Sequence, residues 1–229
     1  MPVYRLDENL WFPDPHLGEP NGMVAIGGDL SVGRLLLAYR NGFFPWFSFH
    51  WYDEPHWYCP MKRYVIFPEE IHVSHSMKQL IRQNKYELTI NQDFNGVIHN
   101  CSTAQQRNKE NGAWLGDEMI EAYLKLHHLG YATSIEVWET SILDSNKKVK
   151  RLVGGLYGVT QCNAFFGESM FSLVPNASKL ALIYLAKTLS RLKWHFIDCQ
   201  FETSLFRSMG GKHIDYDDYM KLLNGQESK

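Results

Sequence analysis

Three strand-like segments follow one another between residues 133 and 172, and they limit what this chain can fold into. "TSIEVWETSIL" and "RLVGGLYGVTQ" flank the polar turn "DSNKK", and "AFFGESMFS" comes soon afterwards. Short connections join antiparallel neighbours, whereas parallel strands need a crossover of about a dozen residues or more. The segments therefore predict an antiparallel meander within a sheet.

Helical patterns on both sides of this meander predict a mixed α/β fold with a central, largely antiparallel sheet. The predicted helices cover residues 32–40, 76–84, 92–100, 116–129 and 176–192. Two further strands are predicted at residues 86–90 and in "HFIDCQF", and residues 102–112 are predicted to form an exposed loop. Because the first sixty residues are rich in turns and aromatic side chains, we expect a small α/β domain at 1–62 and a larger one at 63–229.

Charge and cysteine usage exclude several classes of protein. The net charge is -2 over 229 residues, so no global basic field points to nucleic acid, although a local patch remains open. The four cysteines form no C-x-x-C pair, and the histidines lack metal-ligand spacing, so we expect reduced thiols and no metal site. No apolar leader precedes residue 12, and the longest apolar run, 180–186, is too short to cross a bilayer. These features predict a soluble, cytoplasmic protein.

Polar side chains on two of the predicted strands are candidates for chemistry. Strand alternation places Phe166, Glu168 and Met170 on one face, and it places Asp198 and Gln200 together on another strand. If the two strands are near neighbours, Glu168, Asp198 and Gln200 meet in one cleft. The alternative is that each carboxylate is exposed or is satisfied by a nearby Lys, Arg or backbone N–H.

Basic residues form a second candidate site. Lys78, Arg82 and Lys85 share one face of a predicted helix, and Lys62 and Arg63 lie shortly before it. Beside the aromatic segment 39–58 they fit a phosphate-contacting patch next to stacking platforms, and the alternative is a solvated helix face. The adjacent glycines in "RLVGGLYG" predict a bulge or the close approach of a ligand backbone.

Several long motifs occur in an order that identifies a family resemblance. They are "EPNGMVAIGGDLS", "LLLAYRNGFFPWFS", "GAWLGDEMIEAYLKLHHLGYATSIEVW", "LVGGLYGV", "FFGESMFS", "NASKLAL" and "FIDCQ". Together, from about residue 19 to residue 201, they resemble bacterial leucyl/phenylalanyl-tRNA–protein transferases. The resemblance implies a small N-terminal domain followed by a domain that resembles GNAT-type acyltransferases.

The resemblance also implies a reaction and its partners. Such enzymes move Leu or Phe, and Met weakly, from aminoacyl-tRNA to the N-terminal Arg or Lys of a protein, which creates an N-terminal degradation signal. It implies no metal, no diffusible cofactor and no membrane, and we expect a monomer. An activated ester needs little covalent help, so the site has to hold a neutral acceptor amine against the ester carbonyl and stabilise the oxyanion.

Site residues follow from the matching motifs. The resemblance implies that Asp198 and Gln200 orient or deprotonate the acceptor amine, and that Glu168 binds the acceptor or the α-amino group of the donated residue. Trp46 and Trp114 match positions where an aromatic ring stacks on the terminal adenine, and Tyr39 and Tyr123 lie in the matching helices. The candidates for the side-chain pocket are Leu156, Phe165 and Met170, where Leu156 occupies a position at which methionine also occurs in the family. The basic residues would contact tRNA phosphates.

Two other functions remain open at this point. An acyl-CoA-dependent N-acyltransferase of the same fold class would use a pyrophosphate loop of the form R/Q-x-x-G-x-G/A, and "RLVGGLYG" does not match its spacing. A non-catalytic adaptor could bind basic N-termini through the acidic cleft, but it would leave the aromatic residues and the basic helix without a role.

Overall fold

The structure is a computed structural model that describes residues 3–47, 54–107, 115–142 and 148–225. Its strands are β1 (Tyr4–Leu6), β2 (Met23–Gly27), β3 (Phe44–Phe47), β4 (Pro55–Tyr58), β5 (Lys62–Ile66), β6 (Tyr86–Ile90), β7 (Ala132–Ile142), β8 (Lys148–Gln161), β9 (Ala164–Ser172), β10 (Phe196–Asp198) and β11 (Lys212–Asp215). Its α-helices are α1 (Val32–Arg40), α2 (His75–Arg82), α3 (Phe94–Arg107), α4 (Asp117–His128), α5 (Ala177–Arg191), α6 (Ser204–Ser208) and α7 (Tyr216–Leu223).

The strands form two mixed sheets. Within the described ranges the first has the order β1-β2-β4-β3, and the second has the order β11-β5-β10-β9-β8-β7-β6. The segments β7, β8 and β9 pair antiparallel in sequence order, so the predicted meander is confirmed. In the second sheet β9 and β10 are a parallel pair, which requires the crossover helix α5 between them. The mixed α/β fold class is confirmed.

Helices cover both faces of the second sheet. One buried cluster joins it to α1, α3, α4 and α7 and also contains residues of the first sheet, and the other cluster joins the opposite face to α5. The predicted domains, 1–62 and 63–229, would each contain one sheet. Their division stays a prediction, because the first cluster extends across both sheets.

Two of the predicted helices begin at a serine that caps the first turn. Ser31 caps α1 by accepting a hydrogen bond from the backbone N–H of Arg34, and Ser74 caps α2 in the same way through Met77.

The loop predicted at 102–112 is wrong as far as Arg107, because α3 continues to that residue. Cys101 and Ser102 are buried there, and the Ser102 hydroxyl bonds to the carbonyl of Leu115, so packing extends the helix. Residues 108–112 and the first four residues of the predicted "DSNKK" turn, 144–147, lie outside the described residues.

A β-bulge in β9 changes which side chains share a face. Gly158 pairs with Gly167, and Tyr157 pairs with Ser169, so Glu168 is the extra residue of the bulge. The prediction that Phe166 and Met170 share a face is therefore wrong. Phe166 belongs to the first buried cluster, whereas Met170 packs against the second, because strand alternation reverses at the extra residue.

The glycine pair in β8 lies beside another bulge, at Val153 opposite β7. The predicted bulge is confirmed, and the close approach is made by the protein itself. A Cβ atom at Gly154 would lie 2.4 Å from the Cβ of Ala177, at the start of α5. The glycine therefore lets α5 pack directly on the sheet.

We predict that Gly158→Ala destabilises the fold strongly. The new Cβ would lie 2.1 Å from the carbonyl oxygen of Phe166, across the strand pair that carries the bulge. Overpacking against a backbone atom should lower the free energy of unfolding by at least about 3 kcal/mol in urea denaturation. Gly33→Ala is the control, because its Cβ would meet only the flexible end of Leu10, at 3.2 Å. Equal stability of the two variants would contradict the prediction.

Candidate active site

The central sheet opens where β9 and β10 stop pairing. The parallel register ends with Asp198 opposite Phe166, whereas β9 continues to Ser172. The opening contains a cavity of about 250 Å³. Its apolar wall consists of Leu156, Phe165, Met170, Leu182, Leu185, Ile197 and Phe206. The three predicted side-chain pocket residues, Leu156, Phe165 and Met170, thus line one cavity.

A second, aromatic cavity of about 270 Å³ adjoins the first. Its own wall includes Phe44, Pro45, Trp46, Phe201 and Thr203. The two cavities share Glu168, Cys199, Gln200 and Phe206. An apolar chamber and an aromatic chamber therefore meet at a carboxylate and an amide.

Glu168 lies at this junction with its carboxylate held by tyrosines. The hydroxyl of Tyr39 donates to Oε1 at 2.8 Å, and the hydroxyl of Tyr123 donates to Oε2 at 2.7 Å. The amide of Gln200 donates to Oε1 at 3.3 Å. Glu168 is only 8% exposed, and both tyrosines are completely buried. Glu168 lies on the same face of β9 as Phe166, whose ring contacts that of Tyr39 with 5.0 Å between the centroids.

The number of protons shared by Glu168, Tyr39 and Tyr123 determines whether all their hydrogen bonds can form. The two tyrosine hydroxyls also lie 2.7 Å from each other, so the group has three short contacts. Two hydroxyl protons cannot fill three contacts while the carboxylate is ionised. One added proton on Glu168 completes the ring, because the carboxyl, the first hydroxyl and the second hydroxyl then each donate one hydrogen bond.

The electrostatic environment agrees with this count. Burial raises the pKa of Glu168 to about 7, although the hydrogen bonds from Tyr123 and Tyr39 act in the opposite direction. The negative charge of Asp198 raises it further, and Arg63 lowers it. Glu168 can therefore take up and release a proton near neutral pH.

Asp198 lies beside Glu168 in a different setting. Its carboxylate is completely buried and forms an ion pair with Arg63, whose Nε lies 2.9 Å from Oδ2. It also accepts hydrogen bonds from the Tyr219 hydroxyl at 2.9 Å and from the backbone N–H of Gln200 at 2.8 Å. Burial lowers the pKa of Arg63, but the Asp198 carboxylate, together with Tyr219 and Cys59, more than offsets this and raises it above its usual value.

Comparison with known proteins identifies the family of this chain. A sequence model described as leucyl/phenylalanyl-tRNA protein transferase matches residues 65–224, and a model of that family's N-terminal domain matches residues 28–61. The chain belongs to the leucyl/phenylalanyl-tRNA protein transferase family. The predicted resemblance is thereby confirmed.

Three relatives of that name illustrate how complete the match is. The one from Desulforapulum autotrophicum is 43% identical over 229 residues, which is 100% of this chain and 95% of that protein. The one from Flavobacterium psychrophilum is 44% identical and covers 96% of this chain and 99% of its own length. The one from Pectobacterium carotovorum is 43% identical and covers 98% and 91%. The similarity therefore extends over both sheets.

In this member of the transferase family, two predicted pocket residues lie elsewhere. Tyr39 and Tyr123 are completely buried behind Glu168, and their hydroxyls bond to its carboxylate. The prediction that they line the aminoacyl-adenosine pocket is wrong, because both residues are completely buried and Glu168, to which they bond, lines the two cavities instead. Trp46 is 41% exposed and does line the aromatic cavity, whereas Trp114 lies outside the described residues.

The predicted phosphate contacts separate into two groups. Arg63 is buried, and its guanidinium bonds to Asp198 and to the carbonyl of Gly42, so its assignment to tRNA phosphate is wrong. Sequence alternation gave no sign that this strand residue faces inward. The other four residues, Lys62, Lys78, Arg82 and Lys85, are exposed. Lys85 also pairs with Glu139 at 2.9 Å, and these four stay predictions.

Several residues of the site were missed in the sequence. Tyr157 lines the apolar cavity, is completely buried, and its hydroxyl has no hydrogen-bond partner among the described residues. Phe44 and Phe201 line the aromatic cavity, and Phe44 belongs to the aromatic segment that the sequence did single out. Tyr219 had no signal, because its helix α7 lies far from the motifs in sequence.

The described residues contain neither a candidate metal centre nor a candidate membrane-spanning helix. Among the described residues, no group of three or more His, Cys, Asp or Glu side chains could hold a metal ion. In those same ranges, no helix combines the length and the hydropathy needed to cross a membrane.

We predict that Glu168→Gln changes stability in a pH-dependent way. The folded protein retains a proton on Glu168 between about pH 4.5 and 7, where the unfolded chain has lost it, so this group makes the fold less stable as pH rises through that window. Gln carries no charge. The difference in Tm, variant minus wild type, should therefore become more positive from about pH 5 to about pH 8 in thermal unfolding.

The control is Glu118→Gln, which removes an exposed carboxylate on α4. Its Tm difference should show no comparable rise over this window. A pH-independent difference for Glu168→Gln would contradict the buried, proton-retaining state of Glu168.

Proposed function

We propose that this chain transfers Leu or Phe, and Met more weakly, from aminoacyl-tRNA to the N-terminal Arg or Lys of acceptor proteins. The product would carry a new N-terminal residue that acts as a degradation signal. The observation that carries the proposal is the meeting of an apolar and an aromatic cavity at Glu168 and Gln200. Membership of the transferase family supports the same reaction.

The apolar cavity would receive the side chain of the donated amino acid. Leu156, Phe165 and Met170 line it, and Leu182 and Leu185 of α5 line it from the opposite side. Side chains without a branch at Cβ, such as those of Leu, Phe and Met, would fit the space between two packed layers, whereas a β-branched one would meet the wall near its Cβ. Such pockets distinguish one methylene by only about 1–3 kcal/mol, so some transfer of Met is expected.

The aromatic cavity would receive the terminal adenosine of the tRNA. Trp46 presents a partly exposed ring that contacts Phe201, with 5.4 Å between ring centroids. Stacking of a base on such a ring contributes about 1–3 kcal/mol. We keep Trp114 as a second adenine contact on the basis of its motif.

Glu168 would bind the acceptor amine and serve as its proton acceptor. The amine nitrogen attacks the ester carbonyl carbon, a C–N bond forms, and the C–O bond to the ribose of the tRNA breaks. The proton lost by the amine moves to Glu168, completes the ring with Tyr39 and Tyr123, and passes to the departing ribose oxygen. An α-amino group with a pKa of about 7.7–8.0 is close enough in pKa to Glu168 for this exchange.

Asp198 and Gln200 would position the reactants. The Asp198 carboxylate already bonds to Arg63, Tyr219 and the backbone of Gln200, so a proton from substrate would have to displace one of them. Gln200 places an amide N–H group at the cavity junction, where the oxyanion of the tetrahedral intermediate would form.

Three further properties concern tRNA binding, oligomeric state and cellular location. Lys62, Lys78, Arg82 and Lys85 would contact tRNA phosphates. We take the enzyme to act as a monomer, because one chain supplies the walls of both cavities. We place the enzyme in the cytoplasm, because reduced cysteines and aminoacyl-tRNA occur together there. Family membership does not favour an acyl-CoA-dependent acyltransferase or a non-catalytic adaptor.

The decisive measurement is transfer of labelled amino acid from charged tRNA to a peptide. Peptides that begin with Arg or Lys should accept Leu and Phe readily, Met weakly, and Ile or Val poorly. The same peptides with acetylated N-termini are the control, since they offer no amine. Glu168→Gln should lower kcat by about 100-fold or more. Binding of peptide without transfer would support the adaptor, and acylation from acetyl-CoA would support the other alternative.

We also predict that charge reversal on α2 weakens tRNA binding alone. Lys78→Glu with Arg82→Glu should raise the KM for aminoacyl-tRNA about tenfold and reduce the salt dependence of log KM by about 1 per lost contact. The KM for the peptide should stay unchanged. Lys125→Glu with Lys187→Glu is the matched control, because both lysines are exposed on other helices and the change in net charge is the same. A rise in the KM for peptide only would contradict the assignment of this patch.

A further inference from the structure

Asp198 has a full set of partners before any substrate arrives. Arg63 Nε donates to both carboxylate oxygens, at 3.1 and 2.9 Å. The Tyr219 hydroxyl donates to Oδ2 and the Gln200 backbone N–H donates to Oδ1. The single Nε–H proton is shared between the two oxygens, so three donor protons reach this carboxylate and each oxygen has two polar contacts. All the contacts of this carboxylate named here are to groups of the protein itself.

The group that most needs to be held is Gln200. It has a left-handed backbone with φ of 62°, which is unfavourable for a residue with a side chain. The bond from its N–H to Asp198 two residues earlier stabilises this turn. Because the turn ends β10, the side chain of Gln200 points to Glu168 and does not continue the alternation of a strand.

Tyr219 reaches this turn from the last helix of the described chain. Its hydroxyl lies 2.9 Å from Asp198 Oδ2, and its ring stacks near the Arg63 guanidinium with 4.9 Å to the ring centroid. The same ring lies 3.1 Å from where a Cβ of Gly42 would be. Gly42 is bonded to Arg63 through its carbonyl and precedes β3, which carries Phe44 and Trp46. Tyr219 thus contacts groups that lead to both cavities.

We propose that Tyr219 is a positioning residue for the transfer reaction, acting through Asp198 on the Gln200 turn. The inference rests on the proposed function. When the hydroxyl is present, Asp198 keeps its orientation and Gln200 keeps its amide on Glu168. Without it, one oxygen of a buried carboxylate loses a donor, and Asp198 rotates or draws in water at the expense of the turn.

Tyr219→Phe tests this, with Tyr216→Phe as the matched control. Tyr216 lies on the same helix, is partly buried, and bonds to the carbonyl of Asn41 at 3.3 Å, so its loss leaves Asp198 untouched. Tyr219→Phe should lower kcat about tenfold and leave the KM for aminoacyl-tRNA unchanged. Tyr216→Phe should change neither. 4-Aminophenylalanine at position 219 keeps a donor and should restore kcat.

Two readouts separate positioning from loss of stability. Glu168 has to be ionised to accept a proton from the amine, so kcat should rise with pH as this carboxyl ionises. The midpoint of that rise should shift to higher pH in Tyr219→Phe, because Glu168 loses the amide that favours its ionised form. Amide hydrogen exchange at Gln200 should become faster. If Phe at 219 unfolds the protein, 4-methylphenylalanine restores the volume without a donor and should show the same loss of kcat.

The outcomes distinguish this inference from the proposed function. If wild type transfers amino acid and Tyr219→Phe matches Tyr216→Phe in kcat, pH midpoint and exchange, the positioning role is overturned. If wild type shows no transfer, the proposed function fails. In that case faster exchange at Gln200 in Tyr219→Phe would still support the contact, and unchanged exchange would overturn it.

Discussion

The buried ion pair between Arg63 and Asp198 is the interaction on which the active site depends. It joins β5 to β10 in the central sheet, and Arg63 also binds the turn at Gly42 that leads into the first sheet. A buried ion pair need not be more stable than a well-packed apolar pair, but removing one partner costs about 3–5 kcal/mol. Because loss of either partner is costly, the pair holds the groups bonded to it in one arrangement.

The pair also explains why two adjacent carboxylates differ in chemistry. Asp198 is matched with a guanidinium, whereas Glu168 receives hydrogen bonds only from tyrosine hydroxyls and an amide. Burial disfavours the charged form of Glu168, and hydrogen bonds from neutral donors offset that effect only in part. The pKa of Glu168 therefore rises to about 7. The cation, Arg63, pairs with Asp198 instead. Two carboxyl groups with different partners can divide positioning and proton exchange between them.

Much of the architecture could be predicted from the sequence, because it depends on local patterns. The meander follows from short connections, the start of α1 follows from Ser31, and the family follows from long motifs. Side-chain direction at the site could not be predicted, because one bulge residue reverses alternation in β9. Burial in a strand does not identify function either: Glu136 is as deeply buried as Asp198, yet its carboxylate accepts hydrogen bonds from Thr89 and Ser134 away from both cavities.

The arrangement suits a reaction whose substrate is already activated. An aminoacyl ester and a neutral amine need orientation and one proton acceptor, and proximity alone can supply about 7–11 kcal/mol of the barrier. The structure places its few polar groups where two chambers meet and makes the remaining walls apolar or aromatic. The chambers can therefore select the donor by shape and stacking, while the rigid network behind them keeps Glu168 and Gln200 at a constant separation. Under the proposed mechanism, rate and donor choice would depend on different residues, so a change in a cavity wall would alter which amino acid is transferred without altering how the proton moves.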